Sequence, residues 1–275
     1  MNVNCNVHLD SDAQGARQAR KWGMVPIDML PASPSALVID ALTLDCIQAQ
    51  MMQKYAPRIL ISPVFDRAEM VSHALVRAVS PELRAALPAN AIVHTKLDYA
   101  FASAHGLSSR ALNFEKLKIG LCMSGGADPL ELNSVLSLLE GLPQVIGVAV
   151  IDPRSLTPFN TSFQHVSHAE SPWDFLKGIN LFIGGDGVML AEAIAQGLPT
   201  ISLSTLRHKS KNLCLEASGA LRVIARDAKM VREINHLVND RAALEEMHSA
   251  ALKLDGSGRV TRLAQDIRTI LEETG

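Results

Sequence analysis

The sequence predicts an α/β protein with parallel sheets, because short apolar runs alternate with helix-like segments along the chain. The clearest unit begins with a strand-like run at residues 179–183, which stops at the glycine-rich residues 184–187. Residues 188–196 then have helical character, and Gly197 is typical of a helix end. A second β-rich run at 200–203 completes a β-loop-α-β unit.

The same order of elements occurs once earlier in the chain. Residues 118–123 form a predicted strand, Ser124, Gly125 and Gly126 a loop, and Pro129 the first position of a helix. Two glycine loops, each between a strand and a helix, are expected to line one crevice at the carboxyl ends of a parallel sheet. Helix N-termini at such loops suit a phosphate or diphosphate. Taken alone, each glycine pair is more typical of an ordinary turn than of a ligand site.

The other elements follow from hydrophobic periodicity and from breaks at proline and glycine. The segment 102–116 is rich in turn-forming residues and predicts a boundary between a first domain at 1–113 and a second at 114–275. In the first domain, we expect strands at 2–10, 37–40, 58–61 and 91–94, a helix at 43–54, and helical structure over 68–88 that is broken at Pro81 and Pro88. In the second, we expect further strands at 144–151, 163–166 and 221–224, and amphipathic helices at 227–252 and 258–273.

Composition excludes several classes of function. The 275-residue chain carries a formal charge of −2 and has no basic block, which argues against nucleic acid as a partner. Its 4 cysteines are far apart in the sequence, so neither a structural zinc site nor another metal site is expected. No leader-like start and no apolar run of membrane-spanning length is present in the sequence. We therefore expect a cytoplasmic protein without a transmembrane segment.

Several motifs occur in an order and at spacings that resemble one group of proteins. They are SGGADP at 124–129, GGDG at 184–187 with Glu192, GLP at 197–199 and DGSG at 255–258. The chain resembles the GT-B-type UDP-sugar hydrolases of pseudaminic acid biosynthesis and related spore-coat polysaccharide proteins. It is more distantly similar to the lipid-linked N-acetylglucosaminyltransferase of peptidoglycan synthesis. The likeness covers roughly residues 114–270 and implies two Rossmann-like domains whose parallel sheets face each other across a cleft.

The resemblance also implies a ligand and its binding residues. The ligand is a UDP-sugar or a related nucleotide sugar, and no cofactor is implied. Glu192 is expected to accept hydrogen bonds from the ribose hydroxyls. Asp186 would repel a phosphate unless its carboxylate faces away or caps the following helix. The remaining predicted binding residues line the diphosphate or contact the nucleotide or sugar: Ser124, Gly125, Gly126, Gly184, Gly185, Gly187, Ser204, His208 and Asn212.

The first half departs from the family at its catalytic positions. The family's Gly-x-Gly-His-x-x-Arg loop corresponds to QGARQAR at 14–20, where Ala16 replaces the histidine. His8, Asp10, Asp12 and Asp40 lie near predicted strand ends and are the candidate replacements for that base. Loss of a general acid or base typically slows a reaction about 10²- to 10⁴-fold.

Two functions therefore remain open. The first is a nucleotide-sugar hydrolase or glycosyltransferase of bacterial surface-glycan biosynthesis, with peripheral membrane contact left open because lipid-linked acceptors are common near GT-B enzymes. The second is a non-catalytic nucleotide-sugar-binding protein of the same fold. An NAD-dependent Rossmann enzyme is disfavoured because neither glycine loop has the GxGxxG spacing.

Overall fold

The computed structural model describes residues 6–8, 25–27, 36–40, 44, 46–100, 112–123, 129–151, 163–166, 172–204, 212–254 and 259–274. Every strand pairing within these ranges is parallel. The strands form a sheet of 4 strands, a sheet of 6 strands and a separate pair. The predicted α/β class with parallel sheets is confirmed.

The first sheet has the order β3-β4-β5-β6, while β1 and β2 pair with each other. The strands of this half are β1 (Asn6–His8), β2 (Val25–Ile27), β3 (Leu37–Ile39), β4 (Arg58–Leu60), β5 (His73–Val76) and β6 (Ile92–Thr95). Its helices are α1 (Cys46–Met52), α2 (Pro81–Ala86) and two short 3₁₀ segments, Ala68–Met70 and Leu97–Ala100. Ser80 caps α2 by accepting a hydrogen bond from Leu83 N at 3.1 Å.

One prediction for this half is wrong. Residues 68–88 were predicted to be helical with breaks at Pro81 and Pro88. Helix α2 does begin at Pro81, but the part before it contains a 3₁₀ turn and strand β5. All four residues of β5 are buried, because β5 lies between two other strands and both of its faces are covered. Its residues His-Ala-Leu-Val therefore show no polar and apolar alternation that would identify a strand.

The second sheet has the order β12-β11-β10-β7-β8-β9. Its strands are β7 (Leu117–Cys122), β8 (Val145–Ile151), β9 (Phe163–Val166), β10 (Leu181–Gly184), β11 (Thr200–Ser204) and β12 (Leu221–Ala225). The helices are α3 (Pro129–Glu140), α4 (Pro172–Lys177), α5 (Val188–Ala195), α6 (Leu213–Ala217), α7 (Met230–Asn239), α8 (Arg241–Lys253) and α9 (Arg259–Thr274). The helix predicted over 227–252 is two helices, because Asp240 ends α7 and caps α8 through Ala243 N.

Helices cover both faces of the second sheet. On one face, Ile119, Leu121 and Ile183 pack with residues of α3, α7 and α8. On the other face, Phe182 packs with the buried side of α5, which includes Ile194. A sheet buried on both faces presents only its strand ends to a ligand, which directs attention to the carboxyl edge.

The last helix returns to the first sheet. Ile270 of α9 packs in one buried cluster with Ile59, Leu75 and Tyr99. Asp266 of α9 accepts hydrogen bonds from the Tyr99 hydroxyl at 2.5 Å and from Lys96 Nζ at 2.8 Å. Helix α9 therefore covers the sheet of the first half, although it lies at the end of the chain. The division into two domains between residues 113 and 114 remains a prediction. The DGSG segment at 255–258 lies outside the described residues.

Candidate functional site

The two strands that precede the glycine loops are neighbours. Strand β10 pairs with β7 so that Gly184 lies opposite Cys122, and Gly185 N donates a hydrogen bond to Cys122 O at 3.0 Å. The chain leaves β7 towards β8 on one side and later enters β10 on the other side. This is the topological switch point, where ligands of open α/β sheets bind. The first glycine loop, with Ser124, Gly125 and Gly126, lies outside the described residues.

Gly184 and Gly185 allow β10 to approach β7 closely. A Cβ atom at Gly184 would lie 2.9 Å from Cys122 O, and one at Gly185 would lie 2.8 Å from Met123 O. Both distances are shorter than ordinary van der Waals contacts, and backbone oxygens cannot move away as a flexible side chain can. These two glycines thus have a packing role, while their predicted contact with a diphosphate remains a prediction.

Asp186 connects the second glycine loop to the neighbouring strand. Its carboxylate accepts hydrogen bonds from Ser202 Oγ at 2.8 Å, Ser204 Oγ at 2.9 Å and Asn212 Nδ2 at 2.6 Å. All three donor residues are buried. The residue that caps α5 is Gly187, so Asp186 is not the helix cap. The Asp186 carboxylate is directed towards β11 and α6, and its orientation relative to a phosphate stays a prediction.

Ser204 and Asn212 were predicted to contact a nucleotide or sugar. In the structure they lie at the carboxyl end of β11 and at the first residue before α6, and both bind the Asp186 carboxylate. They are therefore close to the glycine loop, as expected. Their direct contact with a ligand stays a prediction.

Arg77 connects the first sheet to the hydrogen bonds around Asp186. It follows β5 directly, and its Nη2 donates a hydrogen bond to Asn212 Oδ1 at 3.3 Å. Burial lowers the pKa of Arg77, whereas Cys214, Asp186 and Asp40 oppose that shift. Asn212 thus links the first sheet to the second glycine loop, because its Oδ1 accepts a hydrogen bond from Arg77 and its Nδ2 donates one to Asp186.

Arg226 reaches the same loop from the second sheet. It follows the end of β12, and its Nε donates a hydrogen bond to Leu203 O at 2.8 Å. Its Nη2 lies 3.3 Å from the position that a Cβ of Gly185 would occupy, so the guanidinium packs against the glycine loop. Sequence reasoning missed both arginines. The available signal was their position, because each stands immediately after a strand in a parallel sheet.

The other predicted site residues are placed as follows. Gly187 precedes the first turn of α5 with an extended backbone, and Glu192 lies on the same helix in a half-buried position. Asp40 is exposed directly after β3, at the carboxyl edge of the first sheet. Asp10, Asp12 and His208 lie outside the described residues.

The described residues contain neither a metal-binding group of side chains nor a membrane-spanning helix. No group of three or more His, Cys, Asp or Glu side chains within them is arranged to hold a metal ion. None of the described helices is long and apolar enough to cross a bilayer.

No family model matches the chain, and no curated protein matches it in sequence. Solved structures match it in fold. MurG of Acinetobacter baumannii has a TM-score of 0.58 at 13% identity, with 93% of this chain and 76% of that chain covered. The fold is of the GT-B type. Spinosyn forosaminyltransferase SpnP has a TM-score of 0.55 at 10% identity, with 96% and 91% covered. The UDP complex of S. aureus MnaA has a TM-score of 0.53 at 13% identity, with 97% and 74% covered.

Proposed function

We propose that this protein binds a nucleotide sugar, with UDP as its nucleotide, at the carboxyl edge of the second sheet. The observation that carries the proposal is the pairing of Gly184 with Cys122, because it places the carboxyl ends of β7 and β10, the strands that precede the two glycine loops, side by side at the switch point. The GT-B fold supports the proposal. Two of the solved structures named above support it as well, because one is a forosaminyltransferase and the other is a complex with UDP. The proposal includes the cytoplasmic location expected from the sequence.

The proposed chemistry is that of a glycosyltransferase or a hydrolase of surface-glycan biosynthesis. Either water or an acceptor hydroxyl attacks the anomeric carbon, whose bond to the diphosphate oxygen breaks as UDP leaves, or it attacks a phosphorus of the diphosphate, whose bridging P–O bond breaks as a phosphate ester leaves. In each case the attacking oxygen gives up its proton to a base. Hydrogen-bond donors at the glycine loop would stabilise the charge on that leaving group. Ala16 at the family's histidine position favours the transferase, because a sugar acceptor can be activated by a base other than the one that activates water. A narrower form of the proposal is that the protein is related to the UDP-sugar hydrolases of pseudaminic acid biosynthesis.

Glu192 is the residue through which the binding proposal is tested. Its carboxylate on α5 is proposed to accept hydrogen bonds from the two ribose hydroxyls of UDP. A hydrogen bond to a charged group contributes about 1.5–3 kcal/mol, so Glu192→Ala should weaken UDP binding about 10- to 100-fold. Glu246 is an exposed helical glutamate on α8, and Glu246→Ala is the matched control that should bind UDP as the wild type does.

The measurement is calorimetric titration with UDP, UDP-GlcNAc, CMP and NAD, together with melting curves. A ligand that binds the folded state raises the melting temperature by mass action. The ribose contact is isolated with 2′-deoxy-UDP, because Glu192→Ala should cost less affinity for this ligand than for UDP. If no uridine nucleotide binds the wild type, the proposal is wrong.

Turnover then separates the enzyme from the second candidate, a nucleotide-sugar-binding protein. Incubation of UDP-GlcNAc with the protein alone tests hydrolysis, and release of free sugar supports a hydrolase. Release of UDP only when a saccharide acceptor is added supports a transferase. Stoichiometric binding without consumption under either condition supports the non-catalytic alternative, which is favoured by the absence of the family's histidine.

A further inference from the structure

Three charged residues directly follow strands at the carboxyl edge of the first sheet. Asp40 comes after β3, Arg77 after β5 and Lys96 after β6. Lys96 is bound to α9, because its Nζ donates a hydrogen bond to Asp266 at 2.8 Å. Strands β3 and β5 lie on either side of β4, so their backbones are about 10 Å apart. Asp40 and Arg77 are therefore close neighbours along this edge.

Arg77 places this edge opposite the second glycine loop. Its Nη2 donates a hydrogen bond to Asn212 Oδ1 at 3.3 Å, and Asn212 Nδ2 donates one to Asp186 Oδ1 at 2.6 Å. Burial lowers the pKa of Arg77. The charge of Cys214, and after it those of Asp186 and Asp40, oppose that shift. Carboxylates from both sheets thus act on one guanidinium, with Asp40 on the side of the first sheet and the glycine loop on the other.

The Asp40 carboxylate has lone pairs that a substrate can reach. The residue is exposed, and within the described ranges no donor is hydrogen-bonded to its carboxylate. Ser62, in the chain after β4, is buried and its hydroxyl donates a hydrogen bond to Val64 O at 2.8 Å. A general base needs a lone pair within hydrogen-bond reach of the hydroxyl that it deprotonates. Of the three charged residues at this edge, Asp40 has acceptor oxygens, whereas Arg77 and Lys96 have only donors.

The other acidic or basic candidates occupy different positions. His8 ends β1, which within the described ranges pairs with β2 and not with the four-stranded sheet. Asp10 and Asp12 lie outside the described residues. Asp66 is exposed but lies in the connection between β4 and β5, just before a 3₁₀ turn, rather than directly after a strand.

We infer that Asp40 is the general base of the proposed reaction. This inference rests on the proposed function and names the residue that activates the attacking oxygen. The Asp40 carboxylate takes the proton of water or of an acceptor hydroxyl while that oxygen forms its bond to the anomeric carbon. The bond from the anomeric carbon to the diphosphate oxygen breaks, and its electron pair leaves with UDP. The proton then passes from Asp40 to solvent.

The test separates binding from turnover. Consumption of UDP-GlcNAc is measured with water alone and with N-acetylglucosamine as acceptor, for the wild type, Asp40→Asn and the control Asp66→Asn. Asp40→Asn should lower kcat about 10²- to 10⁴-fold, the usual cost of removing a general base. Its affinity for UDP, measured by calorimetry, should change less than about 2-fold, because the base contacts the attacking oxygen and not the nucleotide. Asp66→Asn should match the wild type in both measurements.

Rescue by formate distinguishes a base from a structural residue. Asp40→Gly leaves room for a small carboxylate, so added formate should raise its turnover at least about 10-fold. Formate should not stimulate Asp66→Gly. If formate does not raise the turnover of Asp40→Gly, or if Asp40→Asn loses UDP affinity in proportion to its activity, Asp40 has a structural role and the inference is wrong. Asp40→Ala replaces the glycine variant in this experiment if the latter does not fold.

The same measurements separate failure of this inference from failure of the proposed function. If the wild type consumes UDP-GlcNAc and Asp40→Asn does so equally fast, the enzyme assignment stands and Asp40 is not the base. If the wild type binds UDP but consumes UDP-GlcNAc under neither condition, the nucleotide site stands and the inference is wrong. If the wild type binds no uridine nucleotide, both are wrong.

Discussion

Removal of the Asp186 carboxylate should destabilise the protein strongly. Asp186→Ala deletes the acceptor of three hydrogen bonds whose donors, on Ser202, Ser204 and Asn212, are buried. After the substitution, these donors cannot reach bulk water without a local rearrangement. The expected consequence is a loss of stability together with a displaced glycine loop.

The size of the effect follows from the network. A hydrogen bond to a charged group contributes about 1.5–3 kcal/mol, and three of them set an upper limit. Two features reduce the sum: Asn212 Nδ2 retains Ser202 Oγ at 3.4 Å, and the Asp186 side chain is only half-buried. We therefore expect Asp186→Ala to lower the free energy of unfolding by about 2–4 kcal/mol. Asp186→Asn keeps one oxygen acceptor and should cost about 1–2 kcal/mol.

Urea denaturation followed by circular dichroism measures both variants. Asp227→Ala is the control, because Asp227 is also a loop aspartate but is exposed and accepts a hydrogen bond from Lys229 N at 2.7 Å. The control should lose less than about 1 kcal/mol. An Asp186→Ala variant that loses no more than the control would refute the reasoning that the buried donors depend on this carboxylate.

Further predictions concern packing, capping and pH. Gly185→Ala should lower the free energy of unfolding by about 1–3 kcal/mol, because the new Cβ would lie 2.8 Å from Met123 O. The control is Gly178→Ala, whose Cβ meets no heavy atom closer than 3.5 Å and which should cost less than half as much in the same urea assay. Asp240→Ala should cost about 1 kcal/mol by removing the cap of α8, and Asp240→Asn, which retains an acceptor, should recover most of it. Burial lowers the pKa of His73 in the folded protein. The free energy of unfolding should therefore fall as the pH is lowered through 6.5, the pKa of this histidine in the unfolded chain. An equally steep loss in His73→Asn would contradict this explanation.

The local units of the fold were predictable from the chain itself. The strand, glycine loop and helix at 179–196 are present as β10, the loop and α5, and Gly197 has the positive φ of 73° expected after a helix. The run at 163–166 was predicted as a short strand and is β9. These signals are readable because periodicity, turn residues and caps act within a few residues of each other.

Errors occurred where tertiary burial overrides local preference. Strand β5 was read as part of a helix because its alanine and leucine are good helix formers and because a fully buried strand shows no alternation. The helix at 227–252 was read as continuous although Asp240 divides it. Its apolar positions repeat on both sides of that residue, and this continuity concealed the capping role of Asp240.

The sequence by itself determined the α/β class, the β-loop-α units and the likeness of their motifs to GT-B proteins. Only the tertiary structure decided that β7 and β10 are neighbours, that Asp186 binds Asn212, that Arg77 binds Asn212 and that Arg226 packs against Gly185. Arg77 and Asn212 are 135 residues apart, so no local pattern relates them. Their contact depends on how the two sheets pack, which is set by the burial of whole faces rather than by any short segment.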